Sequence, residues 1–370
     1  MRFRPDSSKP AILEAARLVT AGRPGEATTV LQRSLGIGLP EITTERRSWN
    51  LPDGVRGWFE RVTPIMRGKP APPVPEPEPG SGGRFLSRSY RNAAGTLGYR
   101  LYVPSGYNGE SVPLVVMLHG CKQSPEDFAA GTRMNAHAEE MTWLVAYPEQ
   151  SVTANGSRCW NWFRPQDQRR GLGEPSLIAG VTQQVMDDHA VDPARVYVAG
   201  LSAGGAAAAI MGSAYADLYA AVGIHSGLAP GAAQDIPSAF AAMRRGARIR
   251  EGIGGKSIVP TIVFHGDQDR TVSPQNAELI LAQFVPRMED LERRVEQVQV
   301  AGGYAYTRTC YIDRAGSVLL ESWVVHGEAH AWSGGSREGS YTDPNGPDAT
   351  REMLRFFSNH TRPDIGVSRT

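Results

Sequence analysis

Val196-Tyr197-Val198-Ala199-Gly200-Leu201-Ser202-Ala203-Gly204-Gly205 is the stretch that decides the fold of this 370-residue chain. The first four residues read as a buried strand, and they run without a break into Gly-x-Ser-x-Gly. An alanine-rich helix, residues 203–214, leaves the motif. A serine at the apex of such a strand-to-helix turn sits in a strained backbone conformation, so the residues two places before and after it must be small. The five-residue match is weak alone; the strand before it and the helix after it give it weight.

Outward from this point the chain alternates. Residues 85–91 and 99–103 read as a β-hairpin pair, 113–118 as a continuous apolar strand, 127–141 as one helix and 143–147 as a strand. Residues 175–189 read as a helix, 195–199, 220–225 and 258–265 as strands, and 276–284 as a helix. Two last strands, 304–312 and 318–325, precede a last helix, 348–359. Strands alternating with helices predict a mainly parallel central sheet with helices on both faces. In such sheets the chemistry lies at the carboxyl ends of the strands.

Ser202 is therefore the candidate nucleophile, and an acid and a histidine should follow it in that order, as in an α/β-hydrolase fold. The strand Thr261-Ile262-Val263-Phe264-His265 ends in Gly266-Asp267-Gln268-Asp269. Asp269 is the expected acid because two residues of turn carry it past the strand; Asp267, closer to the strand exit, is the alternative. After the final strand, Trp323-Val324-Val325-His326, comes the loop Gly327-Glu328-Ala329-His330. His330 is the expected base, since His326 still belongs to the strand and should point into the sheet layer. The His326–His330 spacing is no zinc-protease pair, because the segment is extended and interrupted by Gly. His225 and His265 read as structural, with His225 a secondary candidate for a site wall. Two N–H donors are needed for a tetrahedral intermediate. Ala203, at the start of a helix, is one candidate; Cys121, in the loop His119-Gly120-Cys121-Lys122-Gln123 after strand 113–118, is the other.

These segments resemble a known family. Leu118-His119-Gly120-Cys121-Lys122-Gln123, Cys159-Trp160-Asn161-Trp162-Phe163, Gly200-Leu201-Ser202-Ala203-Gly204-Gly205 and His330-Ala331-Trp332-Ser333-Gly334-Gly335, in this order, resemble the poly(3-hydroxybutyrate) depolymerase family of esterases, over about residues 99–357. The resemblance implies an α/β-hydrolase fold, hydrolysis of 3-hydroxyalkanoate esters, a triad of Ser202, Asp269 and His330, and no cofactor or metal. The same branch resembles feruloyl and acetyl-xylan esterases. Lys122 departs from the family pattern, which favours a smaller polar residue there. The substrate-binding module of secreted polymer-degrading members is also missing, which puts attack on crystalline polymer in doubt.

Trp160, Asn161, Trp162 and Trp332 are expected to line the substrate site, because aromatic rings offer rigid apolar area to an acyl chain. Three cysteines allow at most one bridge. The resemblance favours Cys121 with Cys159, while a reducing cytosol argues against it; Cys310, in a strand, reads as a buried hydrophobe.

The bulk properties exclude other classes. Thirty-nine Lys and Arg against 38 Asp and Glu leave a net charge of +1, so the whole-molecule field gives no reason to expect nucleic acid. No run approaches the roughly 18 apolar residues of a membrane span. Residues 1–22 lack the apolar core of a signal peptide, which predicts a cytoplasmic protein, or a secreted one if a leader has been removed. Residues 1–66 read as an N-terminal helical segment with two short helices in 10–35. A Pro/Gly-rich linker over 67–83, a catalytic domain over 84–362 and a tail over 363–370 follow. The N-terminal segment is expected to contact a second subunit or a polyester granule. The reading that results is a serine esterase of 3-hydroxyalkanoate oligomers or polyester. A feruloyl or acetyl-xylan esterase and a non-catalytic binding protein on the same scaffold are the alternatives.

Overall fold

The computed structural model describes residues 82–247, 259–283 and 290–362. The N-terminal helical segment, all but the end of the linker and the C-terminal tail expected from sequence lie outside these residues. The described elements belong to the second of two compact units, residues 68–370.

A single ten-stranded sheet organises this unit. Its strands are β1 Arg84–Asn92, β2 Gly95–Val103, β3 Val112–Leu118, β4 Leu144–Glu149, β5 Val191–Leu201, β6 Ala221–His225, β7 Thr261–Gly266, β8 Glu292–Gln299, β9 Ala305–Ile312 and β10 Val318–Val325. They lie in the order β1-β2-β4-β3-β5-β6-β7-β10-β9-β8. The six central strands, β4 to β10, pair parallel. Antiparallel strands close both edges, β1-β2 on one side and β9-β8 on the other. β3 is buried at every position, as a strand covered on both faces must be. Its side chains alternate: Leu114, Val116 and Leu118 enter one core layer, and Val115 and Met117 enter the other.

The first layer is covered by α3 Gly173–Asp188, α4 Ala203–Ala214, α5 Ile236–Arg245 and α6 Gln275–Ala282. The second is covered by α1 Pro125–Thr132, α2 Met134–Met141 and α7 Ala349–Ser358. Small residues let α4 lie close to the sheet; a Cβ on Gly212 would come within 2.6 Å of Val222. β3 connects outward to β4, whereas β5 returns to its other side. Ligands of open α/β sheets bind at such a reversal, outside the carboxyl ends of the strands, here those of β3 and β5.

Three local features differ from the sequence reading. The single helix expected over 127–141 is two, broken at Arg133, whose φ of 55° is left-handed. β8 and α5 lie where the sequence reading gives no element, and two short strands, β11 Trp332–Ser333 and β12 Thr342–Asp343, follow the expected last pair. Among the described residues, no helix is long and apolar enough to cross a membrane.

Candidate active site

The elbow between β5 and α4 is built by close backbone approach. Ser202 has φ 58° and ψ −118°, a conformation that costs an L-residue of order 1–3 kcal/mol and persists only when its surroundings enforce it. They do. A Cβ on Gly204 would lie 2.0 Å from the Leu118 carbonyl, and one on Gly200 would lie 2.3 Å from the Gly204 carbonyl. The Ser202 N–H donates to the His225 carbonyl at 2.8 Å. Ala203 opens α4, so its N–H has no partner within the helix.

The loop after β3 lies against this elbow; a Cβ on Gly120 would sit 3.6 Å from that of Ser202. Four fastenings hold it. Cys121 is bonded to Cys159 by a disulfide, and Lys122 N–H donates to the Ser157 carbonyl at 2.8 Å. The buried Gln123 accepts the Gly120 N–H at 2.9 Å and donates to Asp127 at 2.9 Å. His119, also buried, accepts the Gln150 N–H at Nε2, at 3.0 Å, and donates from Nδ1 to the Gly120 carbonyl. Burial holds its pKa down at about 4, so the ring is neutral and this tautomer follows. Among the described residues, neither the Cys121 nor the Ala203 N–H donates to another backbone group.

The turn after β7 and the loop after β10 bring Asp269 and His330 together. His330 Nδ1 lies 2.6 Å from Asp269 Oδ2. The other carboxylate oxygen accepts the N–H groups of Thr271 and Val272, each at 2.8 Å. His265 Nε2 stands 3.3 Å from Oδ2 and donates to the Val272 carbonyl. Burial pushes the Asp269 carboxyl up, but attraction to His330 and hydrogen bonds from both histidines hold it far below the usual carboxylate range. An ionised Asp269 accepting from Nδ1 leaves Nε2 of His330 as the basic nitrogen.

Asp267 lies elsewhere. Its carboxylate accepts the Gly327 N–H at 2.8 Å and meets His326 Nδ1 at 3.0 Å. That pair is solvent-exposed. His326 does not point into the sheet layer as expected: its side chain is 42% exposed, because β10 ends at Val325 and its Nε2 reaches Thr307 on β9.

The expected substrate-lining residues are placed differently from the sequence reading. Trp160 and Trp332 are fully buried, so neither ring presents a surface to substrate. Trp160 donates from its indole to the His119 carbonyl at 3.0 Å and braces the loop after β3 from behind. Trp332 stacks on His225, with centroids 5.1 Å apart, and donates to Thr350. Asn161 is buried too; its main-chain and side-chain N–H groups donate to Glu174, and its carbonyl oxygen accepts from Asn155. Trp162 is 6% exposed and packs edge-on against Phe163, which is half-buried and keeps the exposed aromatic surface of this loop. The polar groups of Trp160, Asn161 and Trp332 find partners inside the protein, so these side chains serve as struts for the loops.

Several contributors lie outside the expected triad, oxyanion donors and substrate wall. Gln123 and His119 order the loop after β3. His225 holds the elbow through its carbonyl and the segment after His330 through its ring, where Nε2 accepts the Ser333 N–H at 3.0 Å. Burial lowers the His225 pKa well below the ordinary value, which keeps it neutral for that role. Glu174 collects donors from Asn161 and Gln150; burial and neighbouring Asp167 push it up to about 7. His119 and Gln123 lie in the 118–123 motif, and His119 just after β3 and His225 at the end of β6 stand at the sheet edge where sites form; Glu174 carries no such signal.

The Esterase PHB depolymerase family model matches residues 97–294, which include Cys121, Ser202 and Asp269 and stop before His330. The chain is 32% identical over 247 residues to poly(3-hydroxyalkanoate) depolymerase C of Paucimonas lemoignei, covering 64% of this chain and 58% of that protein. It is 29% identical over 201 residues to feruloyl esterase B of Thermothelomyces thermophilus, covering 50% of this chain and 68% of the relative. Among solved structures, acetyl xylan esterase from Aspergillus awamori superposes with a TM-score of 0.58 at 18% identity, over 75% of this chain and all of that one, and shares the α/β-hydrolase fold.

Proposed function

This chain belongs to the Esterase PHB depolymerase family, and from that premise we propose that it is a serine esterase acting on 3-hydroxyalkanoate oligomers or polyester through Ser202, His330 and Asp269. The observation that carries the reading is the buried Asp269–His330 hydrogen bond of 2.6 Å, at the same sheet edge as the strained Ser202 elbow.

In this mechanism His330 Nε2 takes the Ser202 proton as the hydroxyl oxygen attacks the ester carbonyl, and Asp269 holds the Nδ1–H tautomer and stabilises the imidazolium. The oxyanion is received by the N–H groups of Ala203 and Cys121, each worth about 10²–10³ in rate. The alcohol leaves with the proton from Nε2. Water then attacks the acyl-enzyme with His330 again as base and frees the acid. The loop fastenings described above keep the second N–H donor fixed, so no reorganisation is spent at the moment of reaction.

The rim favours an acid-bearing substrate. Lys122, Arg164 and Arg270 are exposed on three loops at this edge; of the neighbouring carboxyls, Asp269 and Glu328 are buried, Glu174 is half-buried, and the partly exposed Asp267 is paired with His326. A hydroxyalkanoate oligomer ends in a free carboxylate, which such a rim attracts. The disulfide fits an oxidising compartment, contrary to the cytoplasmic setting expected from the N-terminal sequence. Contact of residues 1–66 with a granule or a second subunit stays part of the proposal.

The test compares hydrolysis of a 3-hydroxybutyrate dimer, its methyl ester, methyl ferulate and acetylated xylan by the wild type and Ser202→Ala. The proposal expects the dimer and its methyl ester to be cleaved, the free acid faster at low salt, and all turnover to vanish in the variant. Turnover of methyl ferulate or acetylated xylan with none of the dimer would replace it with the alternative esterase activity.

A further inference from the structure

The loop that carries His330 also carries a carboxyl the mechanism does not use. Glu328 is completely buried. Neither of its side-chain oxygens has a hydrogen-bond partner of normal geometry, and the same holds for Ser333 Oγ. The two groups share one pocket. A Cβ on Gly346 would sit 2.0 Å from Ser333 Oγ and 2.6 Å from Glu328 Oε1, so only a glycine can close it. Their backbones are already fixed: the Glu328 carbonyl accepts the Gln268 N–H at 3.0 Å, and the Ser333 N–H donates to His225 at 3.0 Å.

A buried carboxylate without donors is expensive, whereas a neutral carboxylic acid brings one O–H donor and matches one hydroxyl. The titratable groups in the segments packed around Glu328 are His265 in β7, Asp267 and Asp269 after it, Asp343 in β12, Tyr304 before β9, His225 in β6, and His326 and His330 of its own loop. No Lys or Arg ion pair reaches it among the described residues, and no cluster of three or more His, Cys, Asp or Glu is placed to hold a metal ion there. Burial, then Asp343 and Asp269, push the Glu328 carboxyl up to about 8 against the pull of the Ser333 hydroxyl.

We propose that Glu328 is a positioning residue for His330: as a neutral acid it donates its O–H to Ser333 Oγ and clasps the two ends of the 328–333 segment that bears the imidazole. The inference rests on the reading of His330 as the catalytic base. Ionisation opens the clasp. The sign follows: the folded protein holds the Glu328 proton to higher pH than the unfolded chain, so stability and loop order are full in acid and are lost as pH rises through the folded value.

The test is the pH profile of kcat/KM on 4-nitrophenyl butyrate from pH 6 to 9.5, with thermal unfolding at pH 6 and pH 9, for the wild type, Glu328→Gln, Glu328→Ala and Ser333→Ala. One proton lost near the folded value predicts that wild-type kcat/KM falls about tenfold between pH 7 and 9. Glu328→Gln, whose amide donates as the neutral acid does, should match wild type at pH 7 and fall less than about twofold. Glu328→Ala and Ser333→Ala should lower kcat with little change in KM. The wild-type Tm should drop between pH 6 and 9 more than that of Glu328→Gln. An alkaline fall of equal size in Glu328→Gln, or no fall in the wild type, overturns the proposal, as does a Glu328→Gln enzyme as impaired at pH 7 as Glu328→Ala. An enzyme with no esterase activity at any pH would refute the catalytic reading instead, and the Tm comparison would then decide the clasp by itself.

Discussion

Replacing Asp269 by Asn separates the two candidate acids most sharply. The side chain keeps its shape, but only one of its two oxygens remains. Oδ1 accepts two main-chain N–H groups at 2.8 Å, and turning the amide to face them with its NH2 would strand both donors at about 1–3 kcal/mol each. The amide therefore keeps its oxygen there and presents NH2 to His330 Nδ1, 2.6 Å away in the wild type. Two donors cannot share that contact. The imidazole must move its proton to Nε2, where a base is needed, and the rate should fall about 10⁴-fold. At 1.36 kcal/mol per decade this is about 5.5 kcal/mol of transition-state stabilisation. Asp267→Asn alters only an exposed pair with His326 and should change the rate less than about twofold. Initial rates on 4-nitrophenyl butyrate, with thermal unfolding to verify the fold, read both variants. Asp269→Asn retaining more than a tenth of the activity, or Asp267→Asn losing more than Asp269→Asn, would refute the assignment.

Two further predictions concern the supports of the site. Trp332→Ala should cost about 3–5 kcal/mol of stability as a core truncation while leaving KM nearly unchanged in the folded fraction, whereas Phe163→Ala should raise KM at little cost in stability; chemical denaturation and steady-state kinetics distinguish these. Cys159→Ser frees a loop of 38 residues' separation, which lowers stability by about 4 kcal/mol in the chain-entropy model and loosens the Cys121 N–H, so kcat should fall together with the denaturation midpoint.

What could be read from sequence follows from how each element is stabilised. The parallel strands were legible because both faces are buried: Val112–Leu118 is apolar throughout and too short for an ordinary helix. β8 was not, because Glu-Arg-Arg-Val-Glu-Gln-Val-Gln is exposed along its whole length and owes its conformation to backbone pairing with β9. The break between α1 and α2 falls two residues after Gly131 but at an arginine; Arg133 takes the left-handed conformation and is held by Gly334 and Asp348, about 200 residues away. α5 did carry a signal, the capping box of Asp235 and Ser238. In the site, Ser202 and its flanking glycines declare themselves through backbone sterics, which are local. Glu174 and His225 act through burial and partners distant in sequence, which no local spacing encodes. For the same reason Trp160 and Trp332 read as surface aromatics: a tryptophan on a loop looks alike whether its indole meets substrate or a carbonyl behind the loop.

His225 gives the site a shared origin of coordinates. Its carbonyl fixes the amide of Ser202 and its ring fixes the amide of Ser333, three residues past His330. Vibration or slow drift of β6 therefore carries both segments in the same direction, and such displacements cancel in the offset between them. Tolerance to movement here is obtained by correlation, with no demand that the strand be unusually stiff.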